Sequence, residues 1–143
     1  MSRSSREQPG RAREGEGVGT AGSFGGFSPA ALEFYRELSA DNSKAFWAAN
    51  RSVYDEAVRA PFEALAAEVE ERYGEFRIFR PNRDVRFSKD KRPCKEQQGG
   101  YAQSPGGAAY YVAIDAEGLF VGAGYYQMAR DQLARFREAV AAD

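Results

Sequence analysis

Between Arg83 and Lys95 the chain reads RDVRFSKDKRPCK, six cations and two carboxylates in thirteen residues. The cations are Arg83, Arg86, Lys89, Lys91, Arg92 and Lys95. Arginine presents a planar fork that matches phosphate or carboxylate, and lysine acts as a point charge. Asp84 and Asp90 stand among them. Either can take a proton or help to hold Mg²⁺, which needs only one or two carboxylates beside substrate phosphates. The combination suits an anion site: Arg83, Arg86, Lys91 and Lys95 would hold the ligand, and Asp84 or Asp90 would act as base or metal holder. The competing reading is structural, with both carboxylates paired to neighbouring Arg and Lys on a solvated edge. Cys94 lies between Arg92 and Lys95, a setting that lowers a thiol's pKa. Its plainer role is an ordinary thiol that fills space.

Other chemistries are closed off by composition. The chain has no histidine, which removes Ser-His-Asp and Cys-His catalysis and histidine metal sites. Its single cysteine builds neither a disulfide nor a thiolate metal site. No GxxxxGKS loop occurs, and the pairs Gly99-Gly100 and Gly106-Gly107 lack the strand-to-helix setting of a dinucleotide site. The cofactor is left unknown by the sequence. The formal net charge is −1, yet Arg77 to Lys95 carries eight basic residues against two acidic ones. A basic patch on an acidic body favours a small phosphorylated or anionic ligand over wholesale nucleic-acid binding. Tyr101, Tyr110, Tyr111, Tyr125 and Tyr126 offer rings for stacking on bases, although strand alternation turns one of each adjacent pair inward.

Two functions fit. One is a phosphate- or nucleotide-directed enzyme, marked by a deep pocket around Asp84 or Asp90. The other is a non-catalytic module that docks an acidic protein partner or nucleic acid, marked by a flat basic face.

The elements that must position these residues are legible in outline. Met1 to about Ser23 is Gly-, Arg-, Glu- and Ser-rich and is expected to be disordered. Residues 24–143 are expected to form one domain. Ser28 caps a first helix, with Pro29 at its first position and Phe27 and Leu32 as a hydrophobic staple. Asp41, Asn42 and Ser43 separate it from a second helical pattern, from Phe46 through Val58. Pro61 then kinks that helix or starts a third, and Gly74 ends the pattern. Phe76 and Ile78 alternate with Arg77, and Val85 and Phe87 alternate with Asp84 and Arg86. A turn at Arg80 to Arg83 would join two strands, with Ile78 facing Val85 and Arg77 facing Arg86. Gln97 to Ala108 is expected to be a mobile loop. Ala109–Ile114 and Leu119–Tyr125 form a hairpin with Gly118 left-handed, and Gly122 and Gly124 share one face. Met128 to Val140 closes the chain as a helix. The fold class is α+β: N-terminal helices, an antiparallel sheet of about four strands, then a C-terminal helix. No apolar run is long enough to span a membrane and no leader is evident, so a cytoplasmic location is expected.

The same residues resemble a known signature. Arg83, Asp84, Arg86, Phe87, Ser88, Asp90, Lys91, Pro93 and Lys95 match that of the domain-of-unknown-function family 2461, in which an aromatic residue usually occupies the place of Cys94. Phe34, Asn42, Phe46, Trp47, Asn50, Tyr54 and Pro61 also fit the pattern, as do Tyr110, Tyr111 and Gly122 to Tyr126. The likeness runs from about Phe27 to the end. It implies no activity. It does imply a further segment beyond Asp143, whose lack would leave one sheet face incompletely covered.

Overall fold

The computed structural model describes residues 23–125 and 127–142. The tail expected before Ser23 lies outside the described residues. Helix α1 spans Pro29–Ala40 and buries Ala31, Phe34, Tyr35 and Leu38, the spacing of one helical face. Helix α2, Lys44–Tyr54, is capped by Ser43, whose Oγ accepts from the Phe46 amide at 3.0 Å. A five-residue π turn, Asp55–Arg59, leads without a break into α3, Ala60–Tyr73. Pro61 sits just past that turn. It has no amide hydrogen to donate to the preceding turn, and the wider winding upstream accommodates the loss. Gly74, at φ 94°, stops α3, and any side chain there would meet the Gln103 carbonyl oxygen at 2.7 Å.

The sheet is an antiparallel meander in the order β1 (Phe76–Ile78), β2 (Gln97–Gln103), β3 (Ala109–Asp115), β4 (Leu119–Gly124). The helices-then-sheet-then-helix order is as expected, but its second strand is not. Residues 83–88 form no strand; β1 pairs instead with Gln97–Gln103, the segment expected to be a mobile loop. Arg77 therefore faces Tyr101 rather than Arg86, and Phe87 is 96% exposed rather than set against Phe76. The physical reason lies in Gly99 and Gly100. A Cβ on Gly100 would lie 2.4 Å from the Phe76 ring, and one on Gly99 would lie 2.9 Å from the Tyr111 hydroxyl. The glycines are strand residues whose side-chain space belongs to neighbouring rings. The β3–β4 turn is as expected: Gly118 has φ 144°, and Asp115 Oδ1 accepts from the amides of Glu117 and Gly118.

One sheet face packs on α1, the π turn and α3 through Phe76, Ala102 and Ile114. Gln98 is the buried polar residue of this core. It accepts from the Tyr54 hydroxyl at 2.6 Å and donates to the carbonyl oxygens of Phe79 and Gly99. The opposite face carries the row Arg77, Tyr101, Tyr111, Gly122 and is open among the described residues. Alternation divides the adjacent tyrosines as expected: Tyr110 turns to the helix side and stacks on Tyr73 at 4.6 Å, while Tyr111 stays on the open face. Tyr126 lies outside the described residues. Helix α4, Arg130–Ala141, buries none of its residues. Its apolar side chains are on the surface, with Phe136 and Val140 both more than half exposed.

Candidate functional site

The charged stretch is a loop clamped at both ends. Asn82 and Cys94 form an isolated β-bridge, the Arg83 amide donates to the Pro93 carbonyl, and the Lys95 amide donates to the Pro81 carbonyl. Asn42, in the α1–α2 connection, acts as a further strand partner. Its Nδ2 donates to the Cys94 carbonyl at 2.9 Å and its Oδ1 accepts from the Cys94 amide at 3.1 Å. Cys94 is thereby held within the core. Burial pushes its thiol up, the opposite of activation.

Inside the loop the charges neutralise one another. Asp84 accepts from the Arg86 guanidinium and amide, which lowers its carboxyl. Asp90 accepts from the side chain and amide of Arg92 and from Arg83 at 2.5 Å. Arg92 first, and Arg83 after it, hold that carboxyl well below the usual carboxylate range. Arg92 also pairs with Glu96. Lys91 Nζ donates to the Val85 carbonyl at 2.7 Å. Arg86 stays largely exposed, its guanidinium 6.0 Å from the Phe87 ring centre.

Of the four expected ligand-holding cations, Arg83 and Lys95 come together with Arg92 along an open cleft of about 470 Å³; Arg86 and Lys91 do not line it. Glu96, Asp115 and Glu117 line it as well, so its charges balance. Asp84 and Asp90 are not among its lining residues. Among the described residues no group of three or more Cys, Asp or Glu is placed to hold a metal ion. No helix among them is long and apolar enough to cross a membrane.

Lys95 also reaches the place where this loop meets the open sheet face. Lys95 Nζ stands 5.5 Å from the Phe79 ring centre. Burial, and the nearby Arg80, push the Lys95 ammonium down from the ordinary lysine range. Among the described residues, neither Lys95 nor Arg80 lies within ion-pair distance of a carboxylate, unlike Arg83, Arg86 and Arg92. Phe79 in turn packs against Tyr101 and Tyr111, at 5.6 and 6.4 Å. Arg80 and Phe79 were not singled out as site residues by their spacing. The signal for Phe79 is its place two residues past Arg77, on the same face of the continuing strand and opposite Gly99, which leaves room for a ring.

A family profile described as "Conserved hypothetical protein (DUF2461)" matches residues 30–143. The chain belongs to that family. The match takes in the clamped loop, the whole sheet and all four helices except the first residue of α1. No curated protein and no solved structure matches the chain. Membership brings no activity with it.

Proposed function

We propose that this DUF2461 domain binds a small anionic ligand where the RDVRFSKDKRPCK loop meets the open sheet face. The observation that carries the reading is the Lys95 ammonium set 5.5 Å from the Phe79 ring centre with no carboxylate in ion-pair reach among the described residues, where burial and then Arg80 push it down from the ordinary lysine range. Keeping like charges close costs free energy that a multivalent anion relieves. Lys95 is the ligand-facing member of the loop in this reading, and Arg83 stands behind it in the charge-balanced cleft. Asp84 and Asp90, both engaged by guanidinium groups, serve by holding Arg86, Arg83 and Arg92 in place. A carboxylate bonded this strongly to cations is a weak proton acceptor, so binding, rather than proton transfer, is the function supported.

Phosphate or pyrophosphate should therefore raise the melting temperature more than chloride at matched ionic strength. A ligand at a hundred times its dissociation constant adds about 2.7 kcal/mol. Lys95→Ala and Arg80→Ala should each reduce the gain, and Lys44→Ala, on α2, should leave it intact. Equal stabilisation by chloride, or a full gain in both rim variants, would remove the anion site.

A further inference from the structure

The open sheet face holds a second cleft, of about 790 Å³, that the anion site does not account for. Its floor is made of small residues, Gly122, Gly124 and Ala109, and its walls are Tyr101, Tyr111 and Tyr125. The register explains this shape. Tyr101 pairs with Tyr111 and Tyr111 with Gly122, so two rings stand side by side and the position opposite them on β4 has no side chain of its own, with the Phe120 ring 3.3 Å from where a Cβ on Gly122 would lie. A Cβ built on Gly124 meets nothing within 4 Å. Tyr111 is further set by Phe120 on β4 and by the Gln97 amide, which reaches its hydroxyl at 3.4 Å. An aromatic wall over a glycine floor is a place for a flat ring to stack. The volume falls in the range of small-ligand sites. This cleft adjoins the proposed anion site through one residue: Phe79 lines it and also lies beneath Lys95.

We infer that the ligand is a mononucleotide, with its base stacked on Tyr101 and Tyr111 over the Gly122–Gly124 floor and its phosphate at Lys95 and Arg80. The inference rests on the anion-site reading for the phosphate and on the tyrosine–glycine cleft alone for the base. The charge favours a free nucleotide over a nucleic-acid strand. A strand backbone calls for cations along its track, and here the cation set against the cleft's Phe79 is Lys95.

The test compares adenosine monophosphate, adenosine, inorganic phosphate and a short single-stranded oligoadenylate, by calorimetry and by ¹H NMR of the adenine protons. Adenosine monophosphate should bind about tenfold or more tighter than phosphate, the gain expected of one base–aromatic stack. Its adenine protons should shift upfield under the tyrosine ring currents. Gly124→Leu puts a side chain into the cleft at a position where its Cβ meets no neighbour within 4 Å. It should abolish the upfield shifts and bring the nucleotide's affinity down to that of phosphate, with phosphate binding unchanged. Tyr101→Ser should act in the same direction. Full nucleotide affinity in Gly124→Leu, or a nucleotide that binds no tighter than phosphate, overturns the inference. An oligonucleotide that binds far more tightly than the mononucleotide overturns it in favour of a strand. Adenosine that shifts while phosphate fails to bind leaves the cleft standing and removes the anion site instead.

Discussion

Asp90 accepts from both Arg83 and Arg92, so its charge state is tied to the shape of the loop. Its folded carboxyl lies far below an unfolded aspartate, about 3.9. A depressed carboxyl contributes stability that is fully present above the unfolded value and fades as pH falls through that value toward the folded one. Wild type and Asp90→Asn should therefore differ by a constant amount above about pH 4 and draw together progressively as pH falls below it toward the folded carboxyl's value. Urea midpoints measured from pH 7 to pH 2 check this. A gap that stays constant across the range would mean that the loop's shape does not depend on this charge. Arg83 and Asp90 are only half-buried, and ion pairs this close to solvent contribute little each; the shape of the pH profile, more than its height, is the signature.

Strand β2 is the element on which the fold turns, and the sequence hides it. Its QQGGYAQ offers Tyr101 and Ala102 as the only hydrophobic side chains, and two adjacent glycines read as a loop. Alternation cannot register a residue whose side-chain space is filled from elsewhere, here by Phe76, Phe79 and Tyr111. Val85 and Phe87 alternate well and yet form no strand, because Pro93 and the mutual pairing of the charges hold the segment as a loop. The helices, the β3–β4 turn at Gly118 and the shared face of Gly122 and Gly124 were legible, since caps, positive φ and period-two spacing are local signals. The charged stretch was legible as an unusual one, but its internal ion pairing and the Phe79 rim depend on long-range register. Gln98 anchors β2 to the helices. Gln98→Ala strips the Tyr54 hydroxyl of its acceptor and the Phe79 carbonyl of a donor within the core. We expect a loss of about 2–3 kcal/mol by chemical denaturation. A change below about 0.5 kcal/mol, as for surface substitutions, would mean that water replaces the side chain.

Across the whole molecule the packing is uneven. Ala31, Phe34, Tyr35 and Leu38 of α1 are almost fully buried, while no residue of α4 is. The side chain of Gln132 ties α4 to the β2–β3 turn through the Gly106 carbonyl and caps the helix at the Ala129 amide. Amide hydrogens of α4 should accordingly exchange by local opening, well before those of α1, which await unfolding of the core. Hydrogen-exchange mass spectrometry on peptides covering residues 130–141 and 29–40 separates the two. Equal protection would show that α4 is docked in solution. The same unevenness exposes Leu119 and Val121, which face the helix side of the sheet beyond the reach of α1 to α3.

The π turn between α2 and α3 gives the long helix a fixed phase. Tyr54, Val58, Phe62 and Ala66 all meet the core at intervals of four. In a plain α-helix each such step over-rotates by about 40°, so three steps would carry the stripe roughly a third of the way round. The wider turn at Asp55–Arg59 takes up that drift and amounts to one residue of slack in the chain. For sequence comparison this fixes where a gap belongs. A relative whose helix is wound as plain α throughout should align with this chain only when a single-residue gap is opened between Tyr54 and Ala60. A relative that aligns there without a gap carries the same wide turn.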